Sequence, residues 1–134
     1  MSETPSRAED ARRRLELAES AARAESQAAQ KLIDAFVADA RAAGLPSVPL
    51  RATLLDGTPV KTDKRGWYLR VNRSIAVGED GGYYVLTVPG GFMERFRGAK
   101  LKASPPPMFI GKGGRDGETG DLSFFLGRAL RGEV

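Results

Sequence analysis

Gly78-Glu79-Asp80-Gly81-Gly82-Tyr83-Tyr84-Val85-Leu86-Thr87-Val88 is the stretch whose reading decides the fold class. Two glycines behind two carboxylates mark a turn, because glycine takes the left-handed backbone of tight hairpins without steric cost. The six residues after it are aromatic or β-branched apart from Leu86, which suits a pleated, partly buried surface. Pro89-Gly90-Gly91 ends this strand. Its partners lie upstream. Gly66 opens Trp67-Tyr68-Leu69-Arg70-Val71, and Asn72-Arg73 connects it tightly to Ser74-Ile75-Ala76-Val77. Further back, Leu50 to Leu55 meets Asp56-Gly57, a hairpin signal with Val60 to Thr62 as the return strand. Period-two alternation puts Trp67 and Leu69 on one face and Tyr68 and Arg70 on the other. It separates Tyr83 from Tyr84 likewise, so one aromatic of each pair is expected in the core and the other exposed.

Downstream, Phe92 and Phe96 are four apart between Gly91 and Gly98, which fits a single helical turn. Ala99 to Ala103 and Met108 to Ile110 are weaker strands. Pro105-Pro106-Pro107 between them cannot lie inside a ladder and reads as a stiff connection. Asp121 then caps a stripe of Leu122, Phe125, Leu126, Ala129 and Leu130, closed by Gly132, which is an amphipathic helix.

Upstream of the sheet the composition changes sharply at Gly44. Residues 1–44 hold 13 of the 18 alanines and one of the 16 glycines, with seven basic and eight acidic side chains. Residues 45–134 hold 14 basic and nine acidic residues, so the positive excess of the chain lies there. The first segment reads as one helix. Pro5 suits its first turn, and Ser6 with Glu9 has capping-box spacing. Good helix formers run to Ala43, and Gly44 and Pro46 stop it. From Ser6 to Ala43 that is a rod of roughly 57 Å.

Ala8, Leu15, Ala22, Ala29, Phe36 and Ala43 recur every seven residues, flanked by Ala11, Ala18 and Leu32, a coiled-coil-like seam interrupted at Glu25 and Asp39. The first half offers little area to bury, whereas Leu32, Ile33, Phe36, Val37 and Ala40 form a dense stripe. Residues 31–43 are therefore expected to dock on the β module, and residues 6–30 to project or self-associate. The fold class is α+β: a long N-terminal helix, a small twisted antiparallel sheet or partly open barrel, and a C-terminal amphipathic helix. Two units follow, an Ala-rich helix over 1–44 and a small basic β module with its helix over 45–134.

The chain has no cysteine and no histidine. That excludes disulfides, zinc or iron–sulfur ligation by these residues, thiol nucleophiles and Ser–His triads. No run of eighteen apolar residues is present, and no apolar core follows Arg7, Arg12, Arg13 and Arg14, so neither a membrane span nor a secretory signal is expected. A cytoplasmic location follows as an expectation.

Gly66-Trp67-Tyr68-Leu69, Val77-Gly78-Glu79-Asp80-Gly81, Tyr84-Val85-Leu86 and Gly114-Arg115-Asp116-Gly117-Glu118 resemble segments of small uncharacterised proteins of high-GC actinobacteria. The likeness covers roughly residues 31–130 and leaves out the alanine-rich rod. It implies a source and no activity, ligand or catalytic residue.

Glycine-rich residues 111–121 precede a helix, as a phosphate loop would. However, Lys112 is followed by Gly113 rather than Ser or Thr and stands nine residues before Asp121, and the dinucleotide spacing fails at Asp116. Asp116, Glu118 and Asp121 match no EF-hand spacing. The favoured reading is an ordered loop in which Arg115 pairs with Asp116 or Glu118. Glu79-Asp80 is turn chemistry. No cofactor, metal site or catalytic residue is expected.

The leading expectation is a non-enzymatic protein–protein interaction module whose long helix binds itself or a partner, with Leu15, Ala22 and Ala29 at the interface. The alternative is single-stranded nucleic-acid binding by the β module, since exposed aromatics among arginines supply stacking and phosphate neutralisation. Its candidate residues are Trp67, Tyr68, Arg70, Arg73, Arg95 and Arg97. An enzyme comes third, restricted to carboxylate or arginine-assisted chemistry.

Overall fold

The computed structural model describes residues 4, 6–111 and 117–134, residue 92 by its backbone alone. Pro5 and residues 112–116 of the glycine-rich loop, with their expected roles, lie outside the described residues. Helix α1 runs Arg7–Ala42. Ser6 caps it, its hydroxyl oxygen accepting from Glu9 N–H at 3.1 Å. At the other end Gly44 adopts φ +69°. Its N–H reaches Arg41 O while Leu45 N–H returns to Ala40 O at 2.9 Å, a Schellman closure.

Four strands follow as a meander: β1 (Val48–Leu54), β2 (Pro59–Tyr68), β3 (Ile75–Gly78) and β4 (Tyr83–Val85). Strand β5 (Thr87–Val88) follows β4 after one residue and pairs in parallel with β1, giving the order β4-β3-β2-β1-β5. The other pairs of that sheet are antiparallel. Leu86 is the hinge: its N–H donates to Ser74 O beyond β3, and its carbonyl accepts from Thr53 N–H of β1 at 2.7 Å. The sheet is thus rolled so far that its outermost strands are consecutive pieces of one segment, yet no ladder joins β4 to β5 and it stays open.

Strand β2 is longer than the two short pieces expected around Gly66. It passes straight through Lys64-Arg65-Gly66, with a register break opposite, between Pro49 and Arg51. Gly66 permits this, because a Cβ there would stand 2.0 Å from the Val77 carbonyl oxygen. Beyond the sheet come α2 (Phe92–Arg97), the short ladder of β6 (Phe109–Ile110) with β7 (Gly120–Asp121), and α3 (Leu122–Leu130).

Both faces of the sheet are covered. On one, Ile33, Phe36 and Ala40 of α1 and Leu122, Phe125 and Ala129 of α3 pack with Trp67, Leu69, Val77 and Tyr83. Inside the roll, Leu50, Leu54, Val60, Tyr84, Leu86 and Leu101 form a second core. This corrects the alternation argument for the tyrosine pair. Tyr83 and Tyr84 do point to opposite faces, but each face is a core, so both are buried.

Candidate functional site

Helix α1 begins to dock earlier than expected. Ala29 is fully buried with Ile33, Phe36 and Ala40, and the Phe36 ring meets Trp67 edge-on at 5.5 Å. Ala29 therefore belongs to the protein's own core and is not available to a partner, which corrects its place among the expected interface residues. Leu15 and Ala22 remain on the surface. From Arg7 to Glu25 every residue but Asp10 is exposed, Leu15 at 59% and Leu17 at 64%. The stripe Ala11, Leu15, Ala18, Ala22 continues, at helical spacing, the line that becomes Ala29, Ile33, Phe36 and Ala40. Charge divides this arm in two. Residues 7–14 carry four arginines and two carboxylates, whereas residues 16–25 carry three carboxylates and one arginine.

The six residues expected at a nucleic-acid interface do not stay together. Trp67 is 6% exposed, and its indole N–H points to Leu45 O at 3.4 Å, so its ring is core and cannot stack on a base. Arg95, on α2, pairs with Asp56 of the β1–β2 turn. Arg97 lines a separate groove of about 590 Å³ with Lys100, Lys102, Val88 and Leu101. Tyr68, Arg70 and Arg73 do converge, and they share a cleft of about 600 Å³ with Arg51, which is not among the six expected residues. The bend in β1 carries Arg51 to Tyr68, whose hydroxyl accepts from Arg51 N–H at 3.0 Å. The start of β1, the β2–β3 turn and the end of α3 wall the cleft, and no aspartate or glutamate is among its described lining residues.

Arg73 closes the turn, with its N–H on Arg70 O at 3.0 Å. Asn72 shapes that turn by accepting from the backbone N–H and the hydroxyl of Ser74. The Arg73 guanidinium lies over the Tyr68 ring at 5.4 Å. Arg70 is buried, 3% exposed. It donates to Ser74 Oγ at 3.3 Å and to Gly111 O at 2.6 Å, while its Nε has no partner among the described residues.

The nearby carboxylate, Glu118, is committed elsewhere. It accepts two hydrogen bonds from Arg128 and one from Val71 N–H at 2.9 Å. These hold its pKa down at about 2, the Arg128 bonds contributing most. Arg128 also donates to Leu69 O at 2.9 Å, and the rings of Phe124 and Phe125 flank its guanidinium. In place of the expected pairing with Arg115, the described partners of Glu118 are Arg128 and the Val71 N–H. Asp80, in the β3–β4 turn, also stays ionised. Burial opposes this, but hydrogen bonds from Tyr84 and Gly82 N–H and the charge of Lys64 prevail.

Among the described residues no group of three acidic, histidine or cysteine side chains is placed to hold a metal ion, and no helix is long and apolar enough to cross a membrane. No family model, curated protein or solved structure matches the chain.

Proposed function

We propose that this protein is a non-enzymatic, cytoplasmic interaction module that associates with a second copy of itself through residues 7–25 of α1, side by side and antiparallel. The charge division of the arm carries this reading. An antiparallel copy sets the arginine-rich turns of one arm against the carboxylate-rich turns of the other, whereas a parallel copy sets like against like. Leu15, Ala18 and Ala22 form the seam, and alanine lets the two backbones approach closely. The arm gains from the pairing, because a helix end without packing is marginal in water. Sedimentation against concentration tests it. The wild type should move from monomer to dimer in the micromolar range, less readily at high salt, and Ala22→Glu should hold the monomer without unfolding the β module. A wild type that stays monomeric at high micromolar concentration defeats the reading.

A second reading is binding of single-stranded nucleic acid at the Tyr68 cleft. Three arginines there without a lining aspartate or glutamate favour it, since a cleft with a positive excess concentrates an anionic strand. Binding of an oligonucleotide should weaken steeply with added salt. Absence of binding at low salt removes this reading.

A further inference from the structure

Arg73 is the only non-glycine residue among those described with a positive φ, at +60°. Glycine would take this turn position without strain, so an arginine here carries a conformational cost. Strained residues of this kind concentrate where a side chain is needed in one place. Here the place is above the ring of Tyr68, which the Arg51 N–H bond fixes from its hydroxyl end. Behind them stands the buried positive charge of Arg70, hydrogen-bonded to neutral acceptors and offset in part by the nearby carboxylate of Glu118, which Arg128 holds. The volume of the cleft is in the range of small-ligand pockets.

We propose that this cleft takes one nucleotide unit of a single strand: the base on the face of the Arg73 guanidinium that Tyr68 backs, its phosphate between Arg51 and the edge of that guanidinium, with Arg70 as the fixed charge behind. This rests on the second reading above and names its recognition unit. The described lining contains no Asn, Gln, Ser, Thr, Asp or Glu side chain, and the Tyr68 hydroxyl is already engaged. Apart from the arginines and the Tyr68 O–H little is left to read a base edge, so stacking and charge carry the binding and adenine and thymine are held alike.

The test uses the full chain and fluorescence anisotropy with a labelled short oligothymidylate across a salt series. Arg73→Gly should bind more weakly, with a salt slope reduced by about 0.7, while its thermal midpoint stays equal or rises. Tyr68→Leu should lose roughly five- to a hundredfold in affinity with the slope unchanged. An oligoadenylate should bind within a few-fold of the oligothymidylate. Free thymidine monophosphate, added as competitor, tells the source of the unit. Displacement shows that the nucleotide suffices and retention shows that the strand is required; either supports the cleft. If Tyr68→Leu fails to fold, Arg73→Gly decides alone. Wild type that binds while Arg73→Gly and a folded Tyr68→Leu bind as well overturns the Tyr68 unit but leaves nucleic-acid binding standing elsewhere, as at Arg97, Lys100 and Lys102. No binding by the wild type overturns both.

Discussion

Arg128 Nη1 lies 2.6 Å from Glu118 Oε2, and Arg128 Nη2 lies 3.0 Å from Glu118 Oε1, a two-pronged ion pair between α3 and the residues before β7, which hydrogen bonds to Leu69 and Val71 fasten to the chain just after β2. Because the folded chain holds Glu118 at about 2 against an ordinary value of 4.5, the carboxylate stabilises the fold fully above pH 4.5. That contribution is lost as the pH falls from 4.5 toward 2. The thermal midpoint should therefore drop through this window, and Glu118→Gln should flatten the drop while lowering the midpoint at neutral pH. About a third of the Glu118 side chain meets solvent, so added salt should make the effect smaller. An unchanged acid limb in Glu118→Gln would place the titrating group elsewhere.

Phe36 joins α1 to Trp67, and its loss should cost about 3–5 kcal/mol in Phe36→Ala by chemical denaturation. The same contact sets what can be trimmed. A chain beginning at Ala24 keeps Ala29, Ile33, Phe36 and Ala40 and should remain folded. One beginning at Pro46 loses all four, and burial of each large side chain is worth about 1.5–3 kcal/mol. Equal thermal midpoints for the two would show that α1 contributes nothing to the core.

Gly66 lies so close to β3 that any side chain must displace backbone. Gly66→Ala should destabilise by about 1–3 kcal/mol, since its neighbour is the Val77 carbonyl and not a flexible side chain. Gly57→Ala has open space around it, and its cost should come from its φ of +90° alone. A comparison of the two variants by denaturation separates crowding from backbone strain.

Burial raises the Tyr83 hydroxyl above its ordinary value, opposed in part by the Arg70 charge. Burial also raises Tyr84, which donates to Asp80 at 2.5 Å and would face that carboxylate if ionised. Both stabilise the fold below pH 10 and lose this as the pH climbs above it. Ultraviolet titration should show the two ionising late, together with alkaline unfolding, and Tyr84→Phe should remove one of the late protons.

Local signals were legible where the backbone itself dictates the outcome. Ser6 and Gly44 mark the ends of α1, Asp56-Gly57 and Gly81-Gly82 mark hairpins, and the Leu122 to Leu130 stripe marks α3. Long-range facts were not. Alternation told Tyr83 from Tyr84 but not that both faces of the sheet are covered, because the covering helices lie far away in sequence. Ala29 reads like any other alanine of the arm until the helix meets the module. Arg128 and Glu118 are ten residues apart across a strand and a helix start, a separation no helical or strand period connects. The candidate cleft was half legible: Tyr68, Arg70 and Arg73 are neighbours in sequence, but Arg51 joins them only through the bend in β1.

The two hydrogen bonds of Leu86 also bear on how the chain reaches its native state. The four antiparallel strands are joined by short turns, so each can pair soon after its neighbour forms. The contact of Thr53 with Leu86 instead closes a loop of more than thirty residues and can be rewarded only after the meander is in place. Residues 86–88 should accordingly be the last part of the sheet to gain protection in pulsed hydrogen exchange during refolding. Until they do, β1 offers an open edge, the moment at which the nascent protein is most exposed to aggregation.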